Sequence, residues 1–475
     1  MSKPVKTILF VSIGVMVLFA LVTVGLLLYV GTDASRTRVE TAASQALGME
    51  VRVGGSLGIN LWKGLHITLK DVHLVQQGTD VARVEKISLG IELLPLLQNN
   101  VHIRTLALKQ PRITIERDQD GTFNDAKTRL NGDSDAALGW SNVSMTEGTL
   151  IFSDQQSGVE FEASDCSLTA DQLQPADGQV ANRLKDLAFT AELACGVVRV
   201  HDLTLSAVAI SASGQNGIID LEPVTMQVFA ASGAGRLRAD LTGAVPLYDL
   251  HYELPAFSIE AFFKSLSQPP VATGVMDFSA DISTQGKTLD EIRQTLRGKV
   301  SLRGEDIKLL GHDLDAQFAN FESSQNFNLI DVGAFFFAGP LGLLVTKGYN
   351  FASNLQGPAG NSAIRTLVSD WQIEQGVARA QDVALATAMH RVALKGGLDL
   401  VSETFDDLTM ALIDADGCTQ VSQSIHGSFH DPQVEKPSLL RALAGPVENV
   451  LMLGIDLLPG GECEPFYTGS VDPPQ

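Results

Sequence analysis

The sequence predicts a mainly β protein with few helices: an N-terminal transmembrane helix followed by a long, mainly antiparallel sheet. Three observations carry the prediction. Positions 8–30 hold an uncharged apolar run, the chain beyond alternates apolar and polar residues with period two, and helix signals are confined to a few short stretches.

Ile8 to Val30 reads ILFVSIGVMVLFALVTVGLLLYV without a charged residue. At about 1.5 Å per residue, such a helix covers the ~30 Å hydrocarbon core of a bilayer. A secretory signal peptide has a shorter apolar core and ends at a small-x-small site. Leu26, Leu27, Leu28 and Tyr29 stand where that site would be, so the run reads as an uncleaved anchor. Lys3 and Lys6 favour a cytoplasmic tail at residues 1–7, and Arg36 and Arg38 oppose it. A long translocated domain tolerates such charges, which places residues 31–475 outside the cytoplasm.

Asp33 can cap a short helix through Leu47, with Val39, Ala42, Ala43, Ala46 and Leu47 on one face and Gly48 at its end. The period then changes to two. Leu65, Ile67 and Leu69 alternate with polar residues, as do Ile87, Leu89 and Ile91; Ile113 and Ile115; Leu187, Phe189, Ala191 and Leu193; and Leu203 and Leu205. The pattern continues at Met276, Phe278, Ala280 and Ile282, Val300 and Leu302, Val392 and Leu394, Leu398 and Leu400, and Leu408, Met410 and Leu412. Each stretch is a strand with one apolar and one polar face. Asp120-Gly121, Glu147-Gly148, Ser157-Gly158 and Gln375-Gly376 supply hairpin or short-loop connections. Leu106 to Gly121 and Val143 to Gly158 share the order strand, polar break, strand, Asp, turn, and align as one recurring β unit.

Helices enter at three further places. Thr288 to Glu291 forms a capping box, with Gly298 expected to close that helix. Pro437 opens an amphipathic run carrying Leu439, Leu440, Leu443, Ala444, Val447, Val450 and Leu451, suited to packing on the sheet or docking on a membrane or partner. Leu329 to Val345 contains Phe335, Phe336 and Phe337 but is short and broken at Gly339-Pro340; it suits a core-filling helical hairpin or an apolar membrane contact.

The chain has 34 Lys and Arg against 55 Asp and Glu, a net charge of -21, which argues against nucleic-acid binding. With 45% hydrophobic and only 19% charged residues it is not a disordered acidic tail. Four cysteines are present, Cys166, Cys195, Cys418 and Cys463, with no C-x-x-C and no His at ligand spacing, so no zinc site is expected. In an oxidising compartment an even count reads as disulfides. Cys166 with Cys195 and Cys418 with Cys463 is the natural pairing among three, and buried free thiols are the other reading. Walker A, G-x-S-x-G, H-E-x-x-H and dinucleotide motifs are absent, and His426 and His430, four apart on a strand, stand about 13 Å apart, too far to share a metal. The chain therefore reads as a non-enzyme with neither metal nor cofactor.

The first 125 residues resemble the AsmA family of bacterial envelope proteins. The likeness rests on the anchor and on Asp33-Ala34-Ser35-Arg36, Ala46-Leu47-Gly48-Met49-Glu50-Val51, Leu61-Trp62-Lys63-Gly64-Leu65, Pro111-Arg112-Ile113 and Glu116-Arg117-Asp118. Lys63 stands where the family usually has Pro. From Leu296 to Pro432 the chain resembles the family's second block, through Gly298 to Leu314, Gln375-Gly376-Val377-Ala378, Val392 to Leu400 and Gly427-Ser428-Phe429 before Asp431-Pro432. The implied organisation is a cytoplasmic tail at 1–7, an anchor at 8–30, an N-terminal β region at 31–125, a middle β region at 126–290, a C-terminal β region at 291–436, and an amphipathic helix with tail at 437–475.

The resemblance implies a U-shaped β-groove anchored in the inner membrane and extending into the periplasm, apolar inside, with phospholipid as cargo between inner and outer membranes. The other implied role is a scaffold or regulator of outer-membrane protein assembly with a periplasmic or outer-membrane protein partner. Candidate groove residues are Leu65, Ile67, Leu69, Ile87, Leu89, Ile91, Phe189, Leu193, Leu203, Leu205, Met276, Phe278, Ile282, Val392, Leu394, Leu398 and Leu400. At ~0.8 kcal/mol per buried methylene, a polar gap wetting about four of them costs about 3 kcal/mol, roughly two orders of magnitude in rate, so the lining must be continuous. On the order of 20 to 25 strands at ~4.8 Å give a groove of about 100 to 120 Å, short enough to call for a partner, an oligomer or a role near the inner membrane.

Overall fold

A computed structural model describes residues 33–47, 49–60, 65–76, 78–92, 103–118, 142–155, 158–174, 188–200, 203–265, 272–311, 313–316, 318, 360–436, 438–439 and 463–474. The expected anchor at 8–30, the triple phenylalanine and most of the amphipathic run after Pro437 lie outside these residues. Among the described residues no helix is long and apolar enough to cross a membrane. The chain divides into two compact units, Met1–Leu221 and Glu222–Gln475. Both are mainly β.

In the first unit, helix α1 (Asp33–Leu47) precedes β1 (Glu50–Val53), β2 (Leu57–Asn60), β3 (Leu65–Gln76), β4 (Thr79–Ile91), β5 (Ile103–Arg117), β6 (Asn142–Asp154), β7 (Val159–Gln174), β8 (Ala188–Val200) and β9 (Leu203–Gln215). Strand β10 (Ile218–Val228) carries the division between the units. β1 and β2 both pair with β3, and β3 to β5 and β6 to β9 run as antiparallel neighbours. α1 guards the first edge. Val39 and Ala43 pack on Val51, Val53, Leu69 and Val72, while Glu40 Oε1 and Ser44 Oγ accept the Val53 and Val51 amides at 2.7 and 2.8 Å. With those amides occupied, another strand cannot add there.

β5 and β6 differ from the sequence expectation. They are parallel, so the Asp120-Gly121 turn does not join them as a hairpin. The repeat explains the pairing: Leu106 lies opposite Val143, Leu108 opposite Met145 and Arg117 opposite Asp154, a constant offset of 37 that is also the spacing of the two repeat copies. Equivalent positions bond to one another, Gln110 Nε2 to Glu147 and Arg117 Nη1 to Asp154.

One residue near the middle of each of several strands is left-handed: Asp71 in β3 (φ 52°), Gln110 in β5 (47°), Glu147 in β6 (55°), Asp165 in β7 (54°) and Ala207 in β9 (48°). Such a residue bulges and bends its strand. Asp accepts this conformation better than most residues because its short side chain bonds locally. Register aligns these positions across the unit, so the strands bend along one crease.

The second unit contains β11 (Ala231–Asp240), β12 (Leu247–Ser258), α2 (Ile259–Ser265), β13 (Ala272–Thr273), β14 (Val275–Gln285), α3 (Leu289–Thr295), β15 (Arg297–Leu310), β16 (Asn361–Glu374), β17 (Val377–Ala386), β18 (Arg391–Asp399), β19 (Thr404–Ile413), β20 (Thr419–Ser428), β21 (Asp431–Val434) and β22 (Ser438–Leu439). From β11 to β20 the antiparallel neighbours run in chain order, with β13 extending along β15. β21 and β22 share the free edge of β20, so Ser438 and Leu439 extend as strand where the sequence suggested helix. The Thr288 capping box forms, with Thr288 Oγ1 accepting from Glu291 N at 3.2 Å and Glu291 Oε2 from Lys287 N at 2.6 Å. Gly298 does not close α3. It already lies in β15 opposite Ile282, at φ 143°, where a Cβ would fall 1.9 Å from the Asp281 carbonyl oxygen.

Candidate functional site

The register turns the alternation of single strands into rows. In the first unit one row runs Leu69, Ile87, Leu108, Met145, Leu168, Leu193 and Ile210 across β3 to β9, each residue opposite the next. A second runs Ile67, Leu89, Leu106, Val143, Ala170, Ala191 and Ala212. Beyond the crease a third joins Leu74, Ala82, Ile113, Leu150, Ala163, Val198 and Leu205, and a fourth Ile115, Phe152, Phe161, Val200 and Leu203. No polar side chain interrupts these rows. The opposite face carries His66, Thr68, Lys70, Ser144, Thr169, Glu192 and Ser211, with Ser211 Oγ donating to Glu192 at 2.8 Å. Arg83 donates to Asp71 on that face at 2.9 Å and holds its carboxyl below the ordinary value.

Exposure differs between the rows and the crease. Val72, Val84, Pro111, Gly148, Cys166, Cys195 and Val208, the inward positions at the crease, are all buried, whereas most flanking row residues are half-exposed. A bend that buries its own inner line and leaves both walls part-open is concave toward the apolar side. Cys166 and Cys195 sit directly opposite each other on that line and are disulfide-bonded. Small residues are needed there: a Cβ on Gly148 would meet Met145 Sδ at 2.7 Å, and one on Gly196 would meet Asp165 Oδ2 at 3.0 Å.

Of the residues expected to line a groove, Ile67, Ile87, Leu89, Ile91, Phe189, Leu193, Leu203 and Leu205 share this face and are half-exposed, while Leu65 and Leu69 are buried. The Phe189 ring lies across Gly214, where a Cβ would come 2.2 Å from Cε1. In the second unit Met276, Phe278 and Ile282 are half-exposed on the apolar face of β14; Val392, Leu394, Leu398 and Leu400 are buried within the protein itself. Tyr252, on that face beside Ala280, has a buried hydroxyl without a hydrogen-bond partner among the described residues, and burial raises its pKa. Sequence reasoning missed Leu106, Leu108, Met145, Leu168 and Ile210. Leu106 and Leu108 did alternate, but Ala and Ser neighbours in β7 and β9 flatten the contrast around Leu168 and Ile210.

Parts of β16 to β19, residues 367–369, 383–386, 391–394 and 410–413, are buried on both faces. One face, Val368, Ala384, Ala386, Ala393, Ala411 and Ile413, is roofed by Tyr467 and Val471 of the C-terminal strap, residues 463–474. Alanines let the strap approach. It is held by the Cys418–Cys463 disulfide, by Phe466 N bonding to Gly417 O at 2.8 Å, and by Arg391 Nη1 donating to Val471 O at 2.8 Å. Asp382 accepts from Tyr467 Oη, Ser470 N and Ser470 Oγ. Among the described residues no three potential ligands gather around a metal position; His426 faces Glu435 at 3.6 Å and His430 faces Glu403 at 3.3 Å.

A sheet that is apolar on one side, creased and anchored by a helix at its first edge agrees with the sequence resemblance. The model of the AsmA family matches residues 1–194. Over that stretch the chain is similar to the AsmA family. The AsmA match takes in α1, β1 to β7 and β8 as far as Ala194, and the block from Leu296 to Pro432 lies outside it. No curated protein and no solved structure matches the chain. The AsmA match and the large, mostly antiparallel sheet fit a β-groove protein of the cell envelope.

Proposed function

We propose that this chain is held in the bacterial inner membrane by Ile8 to Val30, stands in the periplasm, and passes phospholipid between the inner and outer membranes along its apolar face. The observation that carries the reading is the unbroken row from Leu69 to Ile210, half-exposed across most of seven strands. Half-exposed apolar rows over such a span are costly in water, since each methylene left wet forgoes about 0.8 kcal/mol. Acyl chains laid on the face recover that energy, and polar headgroups can remain outside. A row without a polar gap also meets the requirement that a moving chain never desolvates badly.

The test is native mass spectrometry of full-length protein purified from bacterial membranes in mild detergent. Bound phospholipid is expected, and it should be lost from Leu193→Asp, Leu205→Asp and Phe278→Asp variants that keep their circular dichroism. Lipid-free wild-type protein, or variants that retain lipid, would overturn the reading. The second reading, a scaffold for outer-membrane protein assembly, is favoured only by the filled parts of strands β16 to β19; it predicts a protein partner recovered through them.

A further inference from the structure

The second unit contains one apolar row whose exposure changes along its length. Register links Leu237, Leu250, Ile282, Gly298, Ile373, Ala378, Leu398 and Phe405 from β11 to β19. Leu250 is 40% exposed, Ile282 is half-exposed, and Ile373, Ala378, Leu398 and Phe405 fall to 1, 0, 2 and 9%. The neighbouring row behaves alike: Tyr252 is half-exposed, then Val300 and Trp371 are 7 and 3% exposed. The change falls between β15 and β16 in the first row, where Gly298 is still half-exposed, and at Ala280 of β14, 7% exposed, in the second.

We infer that the apolar face of the second unit is open to acyl chains over β11 to β14, closes between β14 and β16 and is sealed from β16 onward, so lipid leaves it sideways before the C-terminal strands. This deepens the phospholipid reading of the same face and rests on it. Three observations carry it. Residues at 0–2% exposure are already covered by protein, so an acyl chain could reach them only by displacing a packed core. The covered row beside Leu394 and Met410 ends on Gln423, a 5% exposed amide whose Nε2 donates to Glu435 O at 3.0 Å. A buried amide in the path is what an acyl conduit excludes, because an apolar chain cannot satisfy it. The opposite face is roofed by the strap, which a disulfide, Asp382 and Arg391 hold in place.

Methionines already stand on both sides of the boundary. Met145 is half-exposed in the first unit's row, Met276 is half-exposed in β14, Met410 is 2% exposed in β19, and Met389 is 68% exposed in the β17–β18 turn. The full-length chain, produced with photo-methionine in place of methionine, is reconstituted into vesicles of phosphatidylethanolamine and phosphatidylglycerol, irradiated, and searched by peptide mass spectrometry for phospholipid adducts. This near-isosteric replacement needs no core mutation. Adducts on Met145 and Met276, with none above background on Met389 or Met410, are the expected result. Adducts on Met410 comparable to those on Met276 would overturn the sealed end while leaving the lipid reading intact. Absence of adducts from Met145 and Met276 would overturn the lipid reading, and this inference with it; equal labelling of Met389 would do the same by showing indiscriminate contact.

Discussion

At the scale of single residues, the bends rest on positions that few side chains can occupy. Gly396 sits at φ 106° in β18, and a Cβ there would lie 2.3 Å from the Asp407 carbonyl oxygen, itself on a left-handed residue at φ 48°. Gly396→Ala should therefore cost about 2 kcal/mol or more, from backbone strain and the clash together; the urea midpoint measures it, and an unchanged midpoint would remove the bend from the account. Asp382 makes the strap sensitive to pH. Burial alone would raise its carboxyl, but hydrogen bonds from Ser470 and Tyr467 outweigh that and hold it below the ordinary value. Tyr467 is pushed above its ordinary value, by burial first and then by its bond to Asp382. The depressed carboxyl contributes stability above the unfolded Asp value of about 3.9, lost as pH falls through its lower folded value. The raised phenol contributes fully below about 10, with loss only as pH rises through its higher folded value. Hydrogen exchange of residues 463–474, corrected for intrinsic rates, should be flat between about pH 5 and 9 and rise below about pH 3.5. A change inside the flat range would contradict the assignment.

At the scale of elements, the repeat and the crease show how strands acquire a common register. Two copies of one β unit placed side by side with a constant offset make the same residue types meet: apolar on apolar inward, and Gln110 on Glu147 or Arg117 on Asp154 at the polar positions. A one-residue slip would send the whole Leu106, Leu108, Ile113, Ile115 set to the other face. The crease then needs a fastener where bulges have weakened the ladder, and Cys166–Cys195 lies on that line between β7 and β8. In the chain-entropy treatment, a link closing a sequence separation of 29 contributes about 3 to 4 kcal/mol. The Cys166→Ala, Cys195→Ala double variant should lose roughly that much by urea unfolding under oxidising conditions. A loss below about 1 kcal/mol would mean that strand pairing alone holds the bend.

At the scale of the whole molecule, alternation made the fold class, the strand faces and the helix at Asp33–Leu47 legible, but it could not say which strands keep an open face. That depends on what arrives over the second face, and in β16 to β19 it is a strap from the far end of the chain. A local trace of the difference exists. Val383-Ala384-Leu385-Ala386, Val392-Ala393-Leu394 and Met410-Ala411-Leu412-Ile413 are continuous apolar runs, as expected of strands buried on both sides, whereas β3 from Leu65 to Lys70 and β8 from Phe189 to Leu193 keep a polar residue at every second place. The parallel β5–β6 pair was not legible as such, because a repeat fixes which residues are equivalent without fixing the direction in which the copies meet. The two regimes respond oppositely to charge. Ala393 is 0% exposed, opposite Ala384 and Ala411 beneath the strap, so Ala393→Lys must either bury an unpaired ammonium or lift the strap, at a cost of about 3 kcal/mol or more. Ser144→Lys, on the polar face of β6, should change stability by less than about 0.5 kcal/mol. Paired urea titrations of the two variants decide the matter: equal losses would mean that the polar face of β6 is covered as well, and the one-sided reading of the first unit's sheet would fail.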